Sequence, residues 1–224
     1  MALLQPERAP RWLAPLLDAS RGIDAETLTH HRIAAPDTAR RAAVLVAFGE
    51  DPAHGPDLLL VERASTLRDH AGQVAFPGGG ADPGDADVVA TALREAQEET
   101  GLEPTGVVPL AVLPKLFLPP SGFVVTPVIA HWERPVAVRA VDAGETAAVV
   151  RVPLAVLAEP ANRIQVGHPS GYTGPAFVVA GLLVWGFTGG IVSALLDLGG
   201  WARPWATARV LDLGEAWAAA RAGR

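Results

Sequence analysis

The sequence predicts a single domain of the α/β or α+β class, and three observations lead to this class. The chain has 224 residues, which is enough for one substantial domain. Half of the residues are hydrophobic, so a sizeable core can form. Segments with strand-like apolar runs alternate along the chain with segments that carry the apolar stripe of a helix. Strands and helices are therefore intermixed.

The N-terminal segment predicts a helix. In "PRWLAPLLDAS" the residues Trp12, Leu13, Leu16 and Leu17 fall on one face at helical spacing. We expect residues 1–38 to form a helical extension and residues 39–224 to form the main domain. An apolar N-terminal helix and the high fraction of hydrophobic residues in the chain are compatible with a homodimer.

Apolar runs in the first half of the chain predict strands. "RAAVLVAFG" (41–49) and "LLLVERA" (58–64) predict two strands, and "GQVAFPGGG" (72–80) predicts a short strand that enters a glycine turn. Together these runs supply the first strands of the expected sheet.

The segment 86–100 predicts the clearest helix of the chain. Gly101 stands where a left-handed C-cap belongs, and Pro104 prevents continuation. The apolar stripe of this helix consists of Val89, Ala92, Leu93 and Ala96.

The second half predicts further strands and a short helix. "VVPLAVLPKLFL" (107–118), "FVVTPVIAHWE" (123–133), "AVVRVP" (148–153) and "NRIQVGH" (162–168) predict strands. "LAVLAE" (154–159) predicts a short helix.

Residues 176–196 carry no charge over about the length of a membrane span. Glycines interrupt the run, and "AFVVAGLLVWG" has the β-branched and aromatic residues of a buried strand. We therefore predict a strand followed by a short helix with Thr188 as its N-cap, rather than a membrane span. This segment is expected to complete the domain.

Charge and cysteine content exclude several classes of function. The formal net charge of −6 disfavours nucleic-acid binding, which needs a basic surface. The absence of cysteine excludes disulfide scaffolds, thiolate zinc sites and cysteine nucleophiles. It also suits a cytoplasmic enzyme, and the N-terminus lacks the apolar run of a signal peptide.

The segment "REAQEETG" (94–101) gathers unusual negative charge. Glu95, Glu98 and Glu99 stand at i, i+3 and i+4, so they share one helix face and repel one another. The last two also lie near the C-terminal end of the helix, where the helix dipole disfavours anions. Two interpretations remain open: a solvated face, which is the commoner case, or a site for Mg²⁺ or Mn²⁺, which prefer oxygen ligands.

The glycine segment "FPGGGADPGD" (76–85) precedes this helix. Three glycines permit a tight turn and a close approach of backbone to a ligand. No GK[ST] follows, so the segment is not a P-loop. Pro83 occupies the place of the third glycine of a dinucleotide fingerprint, so that motif is also absent.

Together these segments resemble the box of the Nudix hydrolase family, G-x5-E-x7-R-E-U-x-E-E-x-G-U. "REAQEETGL" satisfies the second half of the box. The first half departs from it: with Gly79 as the first glycine, Asp85 takes the place of the first glutamate, and one extra residue precedes Arg94.

A subgroup that resembles coenzyme A pyrophosphatases has this longer box and an upstream signature, L-L-T-x-R-[SA]-x3-R-x3-G-x3-F-P-G-G. Residues 59–79 read "LLVERASTLRDHAGQVAFPGG", which differs from it only at Val61. Later segments, 144–157 and 184–196, are similar to two further motifs of the subgroup. The resemblance covers roughly residues 40–200.

The resemblance implies a fold, a reaction and a cofactor. The fold is an α/β/α sandwich with a mixed sheet. The reaction is Mg²⁺- or Mn²⁺-dependent hydrolysis of coenzyme A or acyl-CoA to 4′-phosphopantetheine, or its acyl form, and adenosine 3′,5′-bisphosphate. Two alternatives stay open: hydrolysis of another nucleotide derivative such as ADP-ribose or NADH, and a non-catalytic module that senses a nucleotide.

The resemblance also implies roles for residues of the box. Glu95, Glu98 and Glu99 are the implied metal ligands, and one glutamate of this helix, Glu98, can instead act as the base. A backbone carbonyl of Gly79 or Gly80 can add a ligand. Arg94 would orient the acids by pairing with Asp85, although Asp85 could equally be a plain helix N-cap.

Three further residues outside the box are candidates. Glu145 is a candidate metal ligand or general base, with a surface-loop glutamate as the alternative. Arg63 and Arg68 are candidates for gripping substrate phosphates, because the arginine fork fits phosphate. Surface salt bridges are the alternative for both arginines.

Overall fold

The computed structural model describes residues 2–29, 34–67, 70–119, 121–207 and 209–223. Within these ranges nine strands form a main sheet: β1 (Ala2–Leu3), β2 (Arg40–Asp51), β3 (Gly55–Arg63), β4 (Val74–Ala75), β5 (Gly78–Gly80), β6 (Val107–Val112), β7 (Leu116–Leu118), β8 (Phe123–Trp132) and β9 (Thr146–Pro153). A second sheet contains β10 (Arg163–Gly167), β11 (Thr173–Val179), β12 (Leu182–Val184) and β13 (Val210–Asp212). The α-helices are α1 (Ala14–Ala19), α2 (Ala25–Thr29), α3 (Val88–Thr100), α4 (Leu154–Ala158), α5 (Gly186–Leu198) and α6 (Leu213–Ala222).

The main sheet is mixed, as predicted. Its strands run in the order β1-β6-β8-β2-β3-β4, and β5, β7 and β9 pair with β2, β8 and β3 respectively. The central strands β2 and β8 are parallel, with Arg40 opposite Phe123 and Phe48 opposite His131. The other pairs of this sheet are antiparallel.

Strand β2 separates two cores, because successive side chains of a strand point to opposite faces. Ala43, Leu45 and Ala47 belong to the cluster that contains the apolar stripe of α3. Val46 and Phe48 belong to the larger cluster that contains α1, α2 and α5. The expected sandwich of helices on both faces of a mixed sheet is therefore confirmed.

The N-terminal segment is part of the larger core. The predicted helix is present as α1, with 3₁₀ turns at Arg11–Leu13 and Ser20–Gly22 on either side. Leu13 and Leu16 are fully buried in the larger cluster. The domain boundary at residue 38 and the homodimer stay predictions.

The apolar run 176–196 differs from the prediction in two details. "AFVVAGLLVWG" is a hairpin of β11 and β12 rather than one strand, because Ala180 and Gly181 adopt left-handed φ values of 51° and 77° and reverse the chain. Helix α5 begins at Gly186 with Trp185 in the N-cap position, so Thr188 lies inside the first turn and the predicted cap is wrong. No helix in the described ranges is long and apolar enough to cross a membrane.

Two further elements, β13 and α6, follow helix α5. Strand β13 pairs in parallel with β10, and α6 packs its buried Ala216 and Ala220 against Val166, Ala176 and Leu183 of the second sheet. The sequence analysis did not predict this strand and helix. They close one edge of the second sheet and cover one of its faces.

Candidate functional site

Helix α3 is fixed at both ends, which sets the direction of its charged face. The Asp87 carboxylate accepts hydrogen bonds of 2.9 Å from the backbone N–H groups of Val89 and Ala90. At the other end Gly101 has a φ of 69°, and its N–H donates to the Gln97 carbonyl at 2.8 Å. The predicted C-cap is confirmed, and the N-cap is Asp87 rather than Asp85.

The glycine turn lies directly against this helix. Gly78 and Gly79 pair with Val44 and Ala43 of β2. A Cβ atom added at Gly79 would overlap the carboxylate of Glu95. A Cβ atom at Gly78 would lie 2.6 Å from the Cα of Val44. The backbone of β2 therefore requires glycine at position 78, whereas a side chain at position 79 would displace the Glu95 carboxylate from the turn.

Arg94 connects the turn, the preceding loop and the acids of the helix. Its Nε and Nη2 atoms donate to the two carboxylate oxygens of Asp85 at 2.9 and 3.0 Å. Nη2 also donates to the carbonyl of Gly80 at 3.0 Å. Nη1 donates to Glu95 at 3.0 Å and to Glu98 at 2.9 Å. The implied pairing of Arg94 with Asp85 is therefore present, although aspartate is shorter than glutamate.

The pair is reinforced from the Asp85 side. The Thr91 hydroxyl and the backbone N–H of Asp82 both donate to Asp85 Oδ2 at 2.9 Å. The Arg94 guanidinium, followed by the Asp82 N–H, holds the pKa of Asp85 well below its usual range. Asp85 therefore stays an anion, and Arg94 keeps its orientation.

Glu95 and Glu99 are partly buried beside the turn. Burial raises the pKa of the Glu99 carboxyl to about 7, against a hydrogen bond of 3.0 Å from the Gly78 N–H and the nearby positive charge of Arg63. Burial also raises the pKa of Glu95, and Arg94 opposes that rise. Burial destabilises the charged form of a carboxyl group, and this raises its pKa. A cation bound beside the group would stabilise the charged form.

Arg63 and Glu145 lie at a different part of the main sheet, and the charges of both act on Glu99. Arg63 is the last residue of β3, and its charge acts on Glu99. The Ala64 N–H donates to the carbonyl of Glu145 at 2.8 Å, and the Glu145 charge also acts on Glu99. The Nε atom of Arg63 is buried and has no hydrogen-bond partner among the described residues.

The donor set fits a hard divalent cation by its chemistry, since carboxylate oxygens are the ligands that Mg²⁺ and Mn²⁺ prefer. The raised pKa values of Glu95 and Glu99 point the same way. In the described part of the chain, however, no three acidic, histidine or cysteine side chains are grouped so that they could hold a metal ion. Glu98 instead bonds to Arg94, and its side chain is 59% exposed.

Most of the predicted site residues therefore lie in two connected groups. Arg94 gathers Asp85, Glu95, Glu98 and the glycine turn, and Glu99 lies near Arg63 and Glu145. Arg68 lies outside the described residues. The analysis of the sequence missed Thr91, which could have been found because it precedes Arg94 and Glu95 by one helical turn on α3.

Comparison with known proteins gives consistent matches. Residues 38–166 match the family model described as NUDIX domain. A protein of Cronobacter sakazakii (strain ATCC BAA-894), named "Uncharacterized Nudix hydrolase NudL", is 47% identical over 120 residues, which cover 52% of this chain and 58% of that protein. A protein of the same name from Shigella boydii serotype 4 (strain Sb227) is 42% identical over 137 residues, which cover 59% of this chain and 62% of that protein.

The match thus spans about three fifths of the length of these two relatives. Among solved structures, a Nudix hydrolase from M. smegmatis, RenU, aligns with a TM-score of 0.49 at 18% identity, covering 75% of this chain and 90% of that one.

Proposed function

Because the chain belongs to the Nudix family, we propose that it hydrolyses the diphosphate linkage of a nucleoside diphosphate derivative, with coenzyme A or acyl-CoA as substrate. The products would be 4′-phosphopantetheine, or its acyl form, and adenosine 3′,5′-bisphosphate. The single observation that carries the proposal is the approach of the α3 carboxylates to the Gly78–Gly80 turn. The resemblance of residues 59–79 to the upstream signature supports the choice of coenzyme A.

Glu95, Glu98 and Glu99 would hold the Mg²⁺ or Mn²⁺ that we propose as cofactor, with a carbonyl of Gly79 or Gly80 as a further ligand. When bound, the ion neutralises negative charge on the phosphates and lowers the pKa of a bound water. Arg94 holds Glu95 and Glu98 toward the turn through the hydrogen bonds of its Nη1 atom. Its ion pair with Asp85 fixes the orientation of its guanidinium.

Arg63 would bind a substrate phosphate. Its positive charge acts on Glu99, and its buried Nε has no hydrogen-bond partner within the described residues. Arginine offers phosphate a planar pair of donors. Arg68, five positions further on in the upstream signature, is proposed for the same role.

A general base must receive a proton from the attacking water, and Glu98 and Glu145 are the proposed candidates. Both side chains are exposed, so they can reach a water at the rim of the site. Glu145 lies beside Glu99 but on a separate segment. Glu145 can therefore accept a proton without the loss of one of the proposed metal ligands on α3.

The test is direct hydrolysis of coenzyme A. The pure protein is incubated with coenzyme A and either Mg²⁺ or Mn²⁺, and the products are separated by chromatography. We expect adenosine 3′,5′-bisphosphate and 4′-phosphopantetheine in equal amounts. ADP-ribose and NADH serve as parallel substrates. Rapid turnover of ADP-ribose without turnover of coenzyme A would disprove the substrate, and no turnover of any of them would disprove the hydrolase.

The upstream arginines allow a sharper test of substrate choice. A protein with both Arg63→Ala and Arg68→Ala should lose activity on coenzyme A more than activity on ADP-ribose. The matched control is Arg203→Ala, since Arg203 is exposed and, within the described residues, forms an ion pair with Glu159 alone. Equal losses on both substrates would assign the two arginines to the shared diphosphate rather than to coenzyme A.

A further inference from the structure

A cleft of about 520 Å³ lies at the junction of the second sheet with the end of the upstream motif. Its floor and walls come from four separate segments: the turn before β4, the turn after β10, the start of α5, and α6. The residues used below are Gln73, His168, Trp185, Trp217, Ala218 and Arg221.

The walls of the cleft are aromatic. The rings of His168 and Trp185 stack with centroids 5.9 Å apart and an interplanar angle of 26°. Trp217 on α6 also lines the cleft, and the Arg221 guanidinium lies 5.5 Å from its ring centroid. The Nε1 atom of Trp185 is buried and has no hydrogen-bond partner within the described residues. The lining of the cleft therefore combines aromatic ring faces with one cation, Arg221.

The cleft adjoins the proposed active site. Gln73 lines the cleft, and its carbonyl accepts the backbone N–H of Arg63 at 2.9 Å. The Gly72 N–H donates back to the Arg63 carbonyl at 3.1 Å. Arg63 in turn acts on Glu99. The segment that lines the cleft at Gln73 is thus hydrogen-bonded directly to the backbone of Arg63.

We propose that this cleft binds the nucleobase of the substrate, with the base against the tryptophan walls and an attached phosphate toward Arg221. Stacking on aromatic rings suits any planar base, because every base has a π face. Arginine suits phosphate. This inference rests on the proposed function, because it assumes that the diphosphate lies at Arg63 and Glu99.

The location of the cleft supports a role in specificity. Helix α6, which supplies Trp217, Ala218 and Arg221, lies outside residues 38–166, the part that matches the Nudix domain. The diphosphate-cleaving residues all lie within that part. The C-terminal strand and helix therefore add a wall to a domain that already carries its hydrolytic groups.

The first test fills the cleft without disturbing the core. Ala218 lines the cleft and is exposed, whereas its neighbour Ala219 is equally exposed and does not line it. Ala218→Trp should raise the KM for the nucleotide substrate about tenfold, with little change in kcat, because loss of one stacked base costs about that factor. Ala219→Trp adds the same bulk to the same helix and should leave KM within about twofold.

The second test measures binding apart from catalysis. Adenosine 3′,5′-bisphosphate is titrated by calorimetry into protein carrying Glu99→Gln, with and without Trp217→Ala, Trp217→Phe or Trp205→Leu. Trp217→Ala should weaken binding about tenfold, and Trp217→Phe, which keeps a stacking ring, less than threefold. Trp205 lies outside the cleft lining, so Trp205→Leu should leave the affinity unchanged. Circular dichroism checks that each variant is folded.

The two proposals can fail separately. If the protein hydrolyses a nucleotide derivative but Ala218→Trp and Ala219→Trp give the same KM and the same affinity for the bisphosphate, the cleft proposal is wrong and the hydrolase stands. If no nucleotide derivative is hydrolysed, yet the bisphosphate binds and Ala218→Trp abolishes its binding, the cleft is a nucleotide site and the hydrolase proposal is wrong.

Discussion

Helices α3 and α5 are each 13 residues long and lie on opposite faces of the main sheet, yet they differ in almost every other respect. Helix α3 carries one arginine and three glutamates, and its buried residues are Thr91, Ala92, Ala96 and Thr100. Helix α5 has a single charged residue, Asp197, and buries Ile191, Val192 and Leu195. Helix α3 is capped by a side chain, whereas Trp185 offers α5 no side-chain cap.

The comparison assigns the proposed catalytic groups to α3 and a larger share of the folding stability to α5. The three glutamates of α3 are not needed for packing and repel one another, so their presence on one face points to a ligand. The side chains of α5 contribute to the core, where each fully buried leucine is worth about 1.5–3 kcal/mol. Four predictions separate the two roles.

The largest effect is expected on activity from α3. Glu99→Gln keeps the shape of the side chain but removes its charge, and we expect hydrolysis to fall by about 10²–10⁴ in kcat. Asp197→Asn makes the same change on α5 and should leave kcat within about twofold, since Asp197 is exposed on the other face. Steady-state kinetics with Mg²⁺ measures both. Retention of more than about a tenth of the activity by Glu99→Gln would contradict the role of α3.

The next effect is expected on stability from α5. Leu195 is 2% exposed within the larger core, so Leu195→Ala should lower the free energy of unfolding by about 2–5 kcal/mol. Leu93→Ala on α3 makes the same truncation at a partly buried position and should cost less. Urea denaturation followed by circular dichroism measures both. Equal losses would remove the distinction between the two helices.

The third effect depends on pH. The folded pKa of Glu99, about 7, lies above its ordinary value of 4.5, so the folded state binds more protons between these pH values. Unfolding free energy should therefore fall as pH rises from about 4.5 to 7, by up to about 3 kcal/mol from this group. Glu99→Gln cannot titrate and should lack this fall.

The measurement compares unfolding free energies of the two proteins at several pH values in buffer with a chelator. Groups far from Glu99 titrate equally in both proteins, so the difference isolates Glu99 together with the charges that act on it, those of Arg63, Glu95 and Glu145. A difference that stays constant between pH 4.5 and 7 would show that burial of Glu99 does not raise its pKa.

The smallest effect concerns the start of α3. Asp87→Ala removes the acceptor for the N–H groups of Val89 and Ala90 and should cost about 1 kcal/mol of stability. Asp87→Asn keeps an acceptor oxygen and should cost less. Thermal unfolding measures both. If the alanine variant is as stable as the wild type, water satisfies these N–H groups as well as Asp87 does.

Local signals in the sequence were sufficient for α3 and for much of its surroundings. The stripe of α3, its cap at Gly101 and the face shared by its acids follow from spacing alone. The pairing of Arg94 with Asp85 followed from the resemblance, not from local spacing. Thr188 was assigned wrongly because a residue type that favours caps does not fix where a helix begins, and Gly186 lies two positions earlier.

Long-range features were harder to predict. The proximity of Arg63 and Glu145 to Glu99 depends on the pairing of β3 with β9, which no short spacing encodes. Strand β13 has three residues and pairs with β10 across a long stretch of sequence, so no periodic pattern marks it. Trp217 therefore stood in an unassigned tail, and its place in one cleft with Trp185 could be found only in three dimensions.

The parallel pairing of β2 with β8 also has a consequence for how the protein folds. Arg40 and Phe123 are partners, although roughly eighty residues separate them, so joining the two central strands requires closure of a long loop. The glycine turn and α3 both lie within that loop. The hairpin of β2 and β3 can form early, whereas the central pair must await this slow step. Recovery of catalytic competence after dilution from denaturant should therefore lag behind the first appearance of secondary structure.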